Sequence, residues 1–135
     1  MSKAFDRVSW KYLEKVLSLF GFSRAAISLL IGFTKKAYLS LLINGTQSKF
    51  FSPSRGLKKG DPLSPLLFNI ASEGFSRSIN HLYCVKGLEP YTMGRNFKNI
   101  HHLSYVDDLL LFTNAAIPNL IKLRNYLNDY EEVSG

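Results

Sequence analysis

Asn44-Gly45 sits between two apolar runs in "AYLSLLINGTQSKFF" (37–51), and no other short stretch restricts the fold as much. A two-residue hairpin turn that matches strand twist needs positive φ at both central positions, and Asn-Gly meets that demand most readily. A second pair of short strands is predicted in "NIHHLSYVDDLLLF" (99–112), around a tight acidic turn. Between the hairpins, Asp61-Pro62 is a good N-cap followed by a first-turn proline, predicting a helix through roughly Tyr83. Its apolar positions Leu63, Leu67, Ile70, Phe75 and Ile79 are placed to face a sheet.

Upstream, Val8, Tyr12, Val16 and Leu19 recur at helical spacing over residues 7–21, with Gly21 as the stop. Ser23 caps a second helix through about Lys36, and Pro118 opens a last one ending near Ser134-Gly135. The order of elements predicts an α+β fold with helices on one face of an antiparallel sheet, in one domain over 1–135. No strand is predicted before residue 7. The chain has 135 residues, enough to bury roughly two-thirds of its unfolded surface. It shows neither a bilayer-spanning apolar run nor an apolar leader at its start. Cys84 is the sole cysteine, which fits a reducing, intracellular address in nucleus or cytoplasm.

Seventeen Lys and Arg against ten Asp and Glu give a net charge of +7. Such an excess attracts polyanions, although a solvated basic face explains it equally well. The basic residues are scattered, among them Lys35, Lys49, Lys58, Lys59, Arg77 and Lys98, so folding must assemble any anion surface. Asp107 and Asp108 lie between apolar strands, where crowded like charges favour a cation. Oxygen-liganded Mg²⁺ is the natural partner of such carboxylates; two solvated turn residues are the plainer alternative. Val106 is an odd residue for so tight a turn, and positive or strained φ is expected there. His81, His101 and His102 lack metal-ligand spacing and are expected to be structural or solvent-facing.

Three ordered stretches together resemble a reverse transcriptase, specifically the palm of LINE-type (non-LTR) retrotransposons with a plant-like character. They are "MSKAFDRVSW", "SLLINGTQSKFFSPSRGLKKGDPLSPLLFNI" and "HHLSYVDDLLLF", covering essentially the whole chain. The resemblance implies a partial polymerase palm, a ferredoxin-like antiparallel sheet with helices on one face, its first strand largely missing and fingers and thumb absent. It implies RNA-directed DNA synthesis with two Mg²⁺ or Mn²⁺ ions, an RNA template, a DNA primer and deoxynucleotides, and no membrane. Asp107 and Asp108 match the catalytic metal ligands. Phe5 matches the aromatic under the nucleotide sugar, with Lys59, Gly60 and Pro62 at the nucleotide and Lys58, Ser64, Pro65 and Tyr105 at nucleic acid.

Lys59 stands where the family usually has glutamine. The first-motif aspartate, by this register, precedes Met1; Asp6 matches a later acidic position whose expected role is N-cap or surface pairing. The chain alone is therefore expected not to extend a primer. The alternative is a non-catalytic retroelement remnant acting at most as a weak nucleic-acid-binding module.

Overall fold

The computed structural model describes residues 4–36, 38–92, 94, 99–105 and 108–135. The chain divides into two compact units. One is Phe5–Ala71 with Ser134–Gly135; the other takes in Ser72–Val133.

In the first unit, the helix expected over 7–21 is α2 (Trp10–Leu19), and a short helix not expected from the sequence, α1 (Ala4–Arg7), precedes it. Ser9 causes the break between them. Its backbone is extended (φ −69°, ψ 129°) and its side chain faces the Tyr12 amide as the N-cap of α2. Gly21 is the predicted stop: at φ +83° it donates to Ser18 O, while Phe22 donates to Leu17 O. This paired pattern satisfies two carbonyls that the helix end would orphan. The buried face of α2 is Tyr12, Leu13, Val16 and Leu17, whereas Leu19 is 77% exposed. The face is set by the packed pairs 12/16 and 13/17, and Leu19 falls outside that stripe.

Ser23 caps α3 (Arg24–Lys35) as expected, its hydroxyl accepting from Ala26 N at 3.3 Å. Near the end of α3, Lys35 reaches back to Glu14 of α2 at 3.0 Å, and its ammonium lies 5.9 Å from the Trp10 ring centroid. The first hairpin follows, β1 (Leu42–Ile43) with β2 (Thr46–Gln47), antiparallel, pairing Ile43 with Thr46. Asn44 and Gly45 have φ of 49° and 80°, so the turn chemistry read from the sequence is the chemistry found.

Helix α4 (Ser64–Cys84) begins two residues later than Asp61-Pro62 predicts. Asp61 Oδ1 accepts from Leu63 N at 2.8 Å, and the Asp61 carbonyl accepts from Ser64 N at 3.1 Å. The aspartate thus closes a turn ahead of the helix. Leu67 and Ala71 are buried on α4, and the Ala71 carbonyl accepts the Tyr12 hydroxyl at 3.0 Å.

In the second unit, the remainder of α4 contributes Phe75, Ile79, Leu82 and Tyr83 to a core completed by Leu88. Strands β3 (His102–Tyr105) and β4 (Asp108–Leu111) pair antiparallel, with His102 opposite Leu111 and Tyr105 opposite Asp108. Alternation along β4 turns Leu109 and Leu111 onto the core and leaves Leu110 exposed. Helix α5 (Ile117–Ser134), with Pro118 in its first turn and its end as predicted, packs Leu123, Tyr126, Leu127 and Tyr130 on the same core.

The mixture of helices and antiparallel strands agrees with the expected class. The described strands form two separate two-stranded ladders. Val106 and Asp107 lie outside the described residues. None of the described helices is long and apolar enough to cross a membrane.

Two histidines of this unit have structural partners. His101 stacks on Tyr83 (centroids 4.2 Å apart, 6° between planes) and its Nδ1 lies 3.0 Å from Asn80 Oδ1. His102 Nε2 lies 2.9 Å from Ser76 Oγ, and its ring meets Phe75 edge-on. Burial first, and the neighbouring His101 second, hold the His102 imidazole below its ordinary value of 6.5, with Glu73 pulling the other way. The folded chain therefore takes up this proton less readily than the unfolded one. Its contribution is complete above pH 6.5 and declines as pH falls below that, through the folded titration. The melting temperature is expected to fall between pH 7.5 and 5.5, less steeply in His102→Asn; equal slopes would refute the assignment.

Candidate nucleotide site

In the first unit, the segment after the hairpin is lashed to α1 by backbone bonds. Leu57 N donates to Phe5 O at 2.8 Å and Gly56 N to Val8 O at 2.9 Å. Trp10 Nε1 donates to the Gly56 carbonyl, also at 2.8 Å. Gly56 has φ +90°, and a Cβ built on it would lie 2.6 Å from the Asp6 carbonyl oxygen. Only glycine permits both the conformation and the approach.

Beyond Leu57 the chain turns back on itself. Ser64 Oγ donates to the Lys58 carbonyl at 2.7 Å, and Asp61 N donates to the same oxygen at 3.3 Å. Gly60, at φ +86° with open space beside it, supplies the left-handed step of this turn. The result is an open pocket of about 370 Å³ lined by Phe5, Lys58, Lys59, Gly60, Asp61, Pro62, Ser64 and Pro65. Seven of these eight are the residues the resemblance places at nucleotide or nucleic acid; Asp61, read from the sequence as a helix cap, joins them.

Phe5 is half-buried and stacks on Phe68 of α4, with centroids 4.2 Å apart and 14° between planes. Stacking holds the ring at the pocket edge without sealing it in the core. Lys59 Nζ meets Asp6 Oδ2 at 3.0 Å, with side chains 70% and 43% exposed. Asp6 is inside α1, so surface pairing is its role and not capping.

The second unit holds Tyr105 and Asp108, cross-strand partners at the closed end of the β3–β4 hairpin. Both are exposed, on the face shared with Leu103 and Leu110. Asp108 offers hard carboxylate oxygens of the kind Mg²⁺ takes, and Asp107 adds the same donors in sequence. Among the described residues no three potential ligands cluster.

The residues that sequence reading did not single out are Gly56, Trp10 and Phe68. Gly56 had a visible signal, a glycine directly after a loop, but its partner Asp6 is fifty residues away. Phe68 had none, since an aromatic on an amphipathic helix reads as core.

Residues 1–132 match the family described as reverse transcriptase (RNA-dependent DNA polymerase). The chain belongs to the reverse transcriptase family. It is 31% identical over 119 residues to the Pol polyprotein of the type-2 retrotransposable element R2DM of Drosophila melanogaster, covering 87% of this chain and 10% of that protein. A Pol polyprotein of the type-1 element R2 of Popillia japonica is 29% identical over 115 residues, 85% of this chain and 18% of that protein. An uncharacterised mitochondrial protein of Arabidopsis thaliana is 38% identical over 71 residues, 53% of this chain and 58% of its own length. This reverse transcriptase chain thus spans less than a fifth of the length of either polyprotein. The resemblance to non-LTR elements read from the three stretches agrees with these relatives.

Proposed function

We propose that this chain is the part of a reverse transcriptase palm that carries the floor of the nucleotide site and the Asp107-Asp108 hairpin. In the parent polypeptide it serves RNA-templated addition of deoxynucleotides to a primer 3′-hydroxyl. One observation carries the reading: a single pocket gathers Phe5, Lys58, Lys59, Gly60, Pro62, Ser64 and Pro65, drawn from two distant motifs.

In that reaction the hydroxyl oxygen bonds to the α-phosphorus, the bond to pyrophosphate breaks, and the hydroxyl proton is released. Phe5 lies under the sugar, held by its stack on Phe68, and leaves no room for a 2′-hydroxyl. Gly60 and Pro62 shape the floor so that backbone and ring approach the nucleotide closely. Lys58 and Lys59 contact phosphate oxygens. Asp107 and Asp108 are the residues that would hold divalent cations, Mg²⁺ or Mn²⁺. Bound there, such ions would acidify the attacking hydroxyl and neutralise the leaving pyrophosphate. Ser64, Pro65 and Tyr105 face template and primer.

The test has two arms. A fluorescent deoxynucleoside triphosphate should bind with Mg²⁺ and lose about tenfold or more in affinity in Asp107→Asn, the loss of one charged ligand. An RNA–DNA hybrid should bind more weakly as salt rises, and Lys58→Gln should reduce the slope of log affinity against log salt by about one. Salt-independent binding would sink the phosphate contacts. Hybrid binding without any effect of Asp107→Asn on the nucleotide would leave a non-catalytic nucleic-acid-binding module in place of the polymerase reading.

A further inference from the structure

Lys59 is one of the charged residues lining the pocket, yet it is already engaged. Its Nζ is 3.0 Å from Asp6 Oδ2. The Asp6 backbone is clamped from both sides, by Leu57 N on the Phe5 carbonyl and Gly56 N on the Val8 carbonyl. Gly56 itself lies so close that a Cβ there would meet the Asp6 carbonyl at 2.6 Å. The carboxylate is therefore mounted on the same backbone that presents Phe5 to the pocket. Lys59 follows two residues behind the clamped Leu57, and its long side chain is 70% exposed.

An ion pair this exposed is weak, because water and salt screen it. A phosphate group with more than one negative charge competes well for the same ammonium. Glutamine, usual for the family at position 59, has no charge to share with Asp6.

We propose that Asp6 is a competing anion for Lys59, so that a nucleotide's polyphosphate binds this pocket by taking Lys59 from Asp6. The pair deepens the nucleotide-site reading and rests on it. Asp6 is a positioning residue: it holds the ammonium at the pocket mouth and lowers the phosphate affinity of the empty site. Lys59 swings to the phosphate, and Asp6 returns to water when the ligand binds. The shared chemistry is phosphate oxygen, and the source is the free nucleotide in preference to a nucleic-acid backbone. The reason is that the pocket is a local hollow, lined by Phe5 and by residues of the single segment 58–65.

Calorimetric titration of the chain with inorganic triphosphate, without divalent metal, tests the proposal. Asp6→Asn should bind triphosphate about two- to fivefold more tightly than wild type, the range set by an exposed ion pair. Lys59→Gln should bind it more weakly. In the Lys59→Gln background, Asp6→Asn should do no more than Glu14→Gln, which removes the same charge at the pair with Lys35. Asp6→Glu should restore wild-type affinity. If Asp6→Asn and Glu14→Gln have equal effects in the wild-type background, the proposal is overturned.

Tightening seen with an RNA–DNA hybrid but not with triphosphate overturns the nucleotide assignment. A second measurement needs no change at Asp6: the Lys59 ε-carbon resonance should shift when triphosphate is added, and a stationary resonance overturns the proposal. Asp107→Asn separates this from the parent reading. If triphosphate binding keeps its Asp6–Lys59 coupling while nucleotide binding ignores Asp107, only the polymerase reading falls. If Asp107 matters and the coupling is nil, only the proposal falls.

Discussion

Gly56→Ala is expected to destabilise the chain by about 2–4 kcal/mol, combining left-handed strain with a steric clash. At φ +90° the new methyl would sit 2.6 Å from the Asp6 carbonyl oxygen and 3.0 Å from its carbon. Backbone cannot yield as the tip of a side chain can. Relief would require the loop to lift away from α1, and the bonds Leu57–Phe5, Gly56–Val8 and Trp10–Gly56 would go together. Gly60→Ala is the control. It shares the positive φ of +86° but meets nothing within 4 Å, so its cost is about 1–2 kcal/mol of conformational strain. Urea denaturation of the two variants decides the matter: a Gly56→Ala chain as stable as Gly60→Ala would refute the close approach. The same variant should also lose triphosphate binding, because the lifted loop carries Lys58 and Lys59 with it.

The other large effect lies in the second unit. Ile79 is fully buried, in the cluster with Phe75, Leu82, Tyr83 and Leu88. Truncation to alanine removes three methyl or methylene groups and leaves a cavity that the facing Leu109, Leu111 and Tyr130 cannot close, since strand and helix hold them. About 2–5 kcal/mol should be lost, typical of a buried aliphatic cut back to alanine. Leu103→Ala, on the same hairpin but half exposed on its outer face, should change stability by less than about 1 kcal/mol. Thermal unfolding followed by tyrosine fluorescence compares the two. Similar losses would mean that the outer face of β3–β4 is packed and that Ile79 does not anchor the core.

The two hairpins and the helices were legible in the sequence because each rests on a local rule. Asn44-Gly45 forms its turn from positive φ at both positions, a property of two adjacent residues. Ser23 caps α3 from inside its own segment, and Gly21 ends α2 by bonds that span five residues. Where local rules competed, the reading slipped by two or three residues. Asp61 was a plausible cap, yet its carboxylate bonds Leu63 N and makes a turn, delaying α4 to Ser64. Ser9 looked like an interior helical residue and is a cap, because its extended backbone separates α1 from α2.

By itself, then, the sequence determined the class of fold and the family. Motif order and turn chemistry are written in neighbouring positions. Tertiary structure alone decided what distant residues do to one another. Asp6 meets Lys59 across fifty-three positions, and Gly56 meets Asp6 across fifty. Phe5 leans on Phe68 across sixty-three. Such contacts come from packing two helices and a loop around a shared core, and no spacing rule along the chain encodes them. Lys59 is the clearest case. In the sequence it is an unusual charge beside a glycine; folded, it is a cation with an anion already in reach.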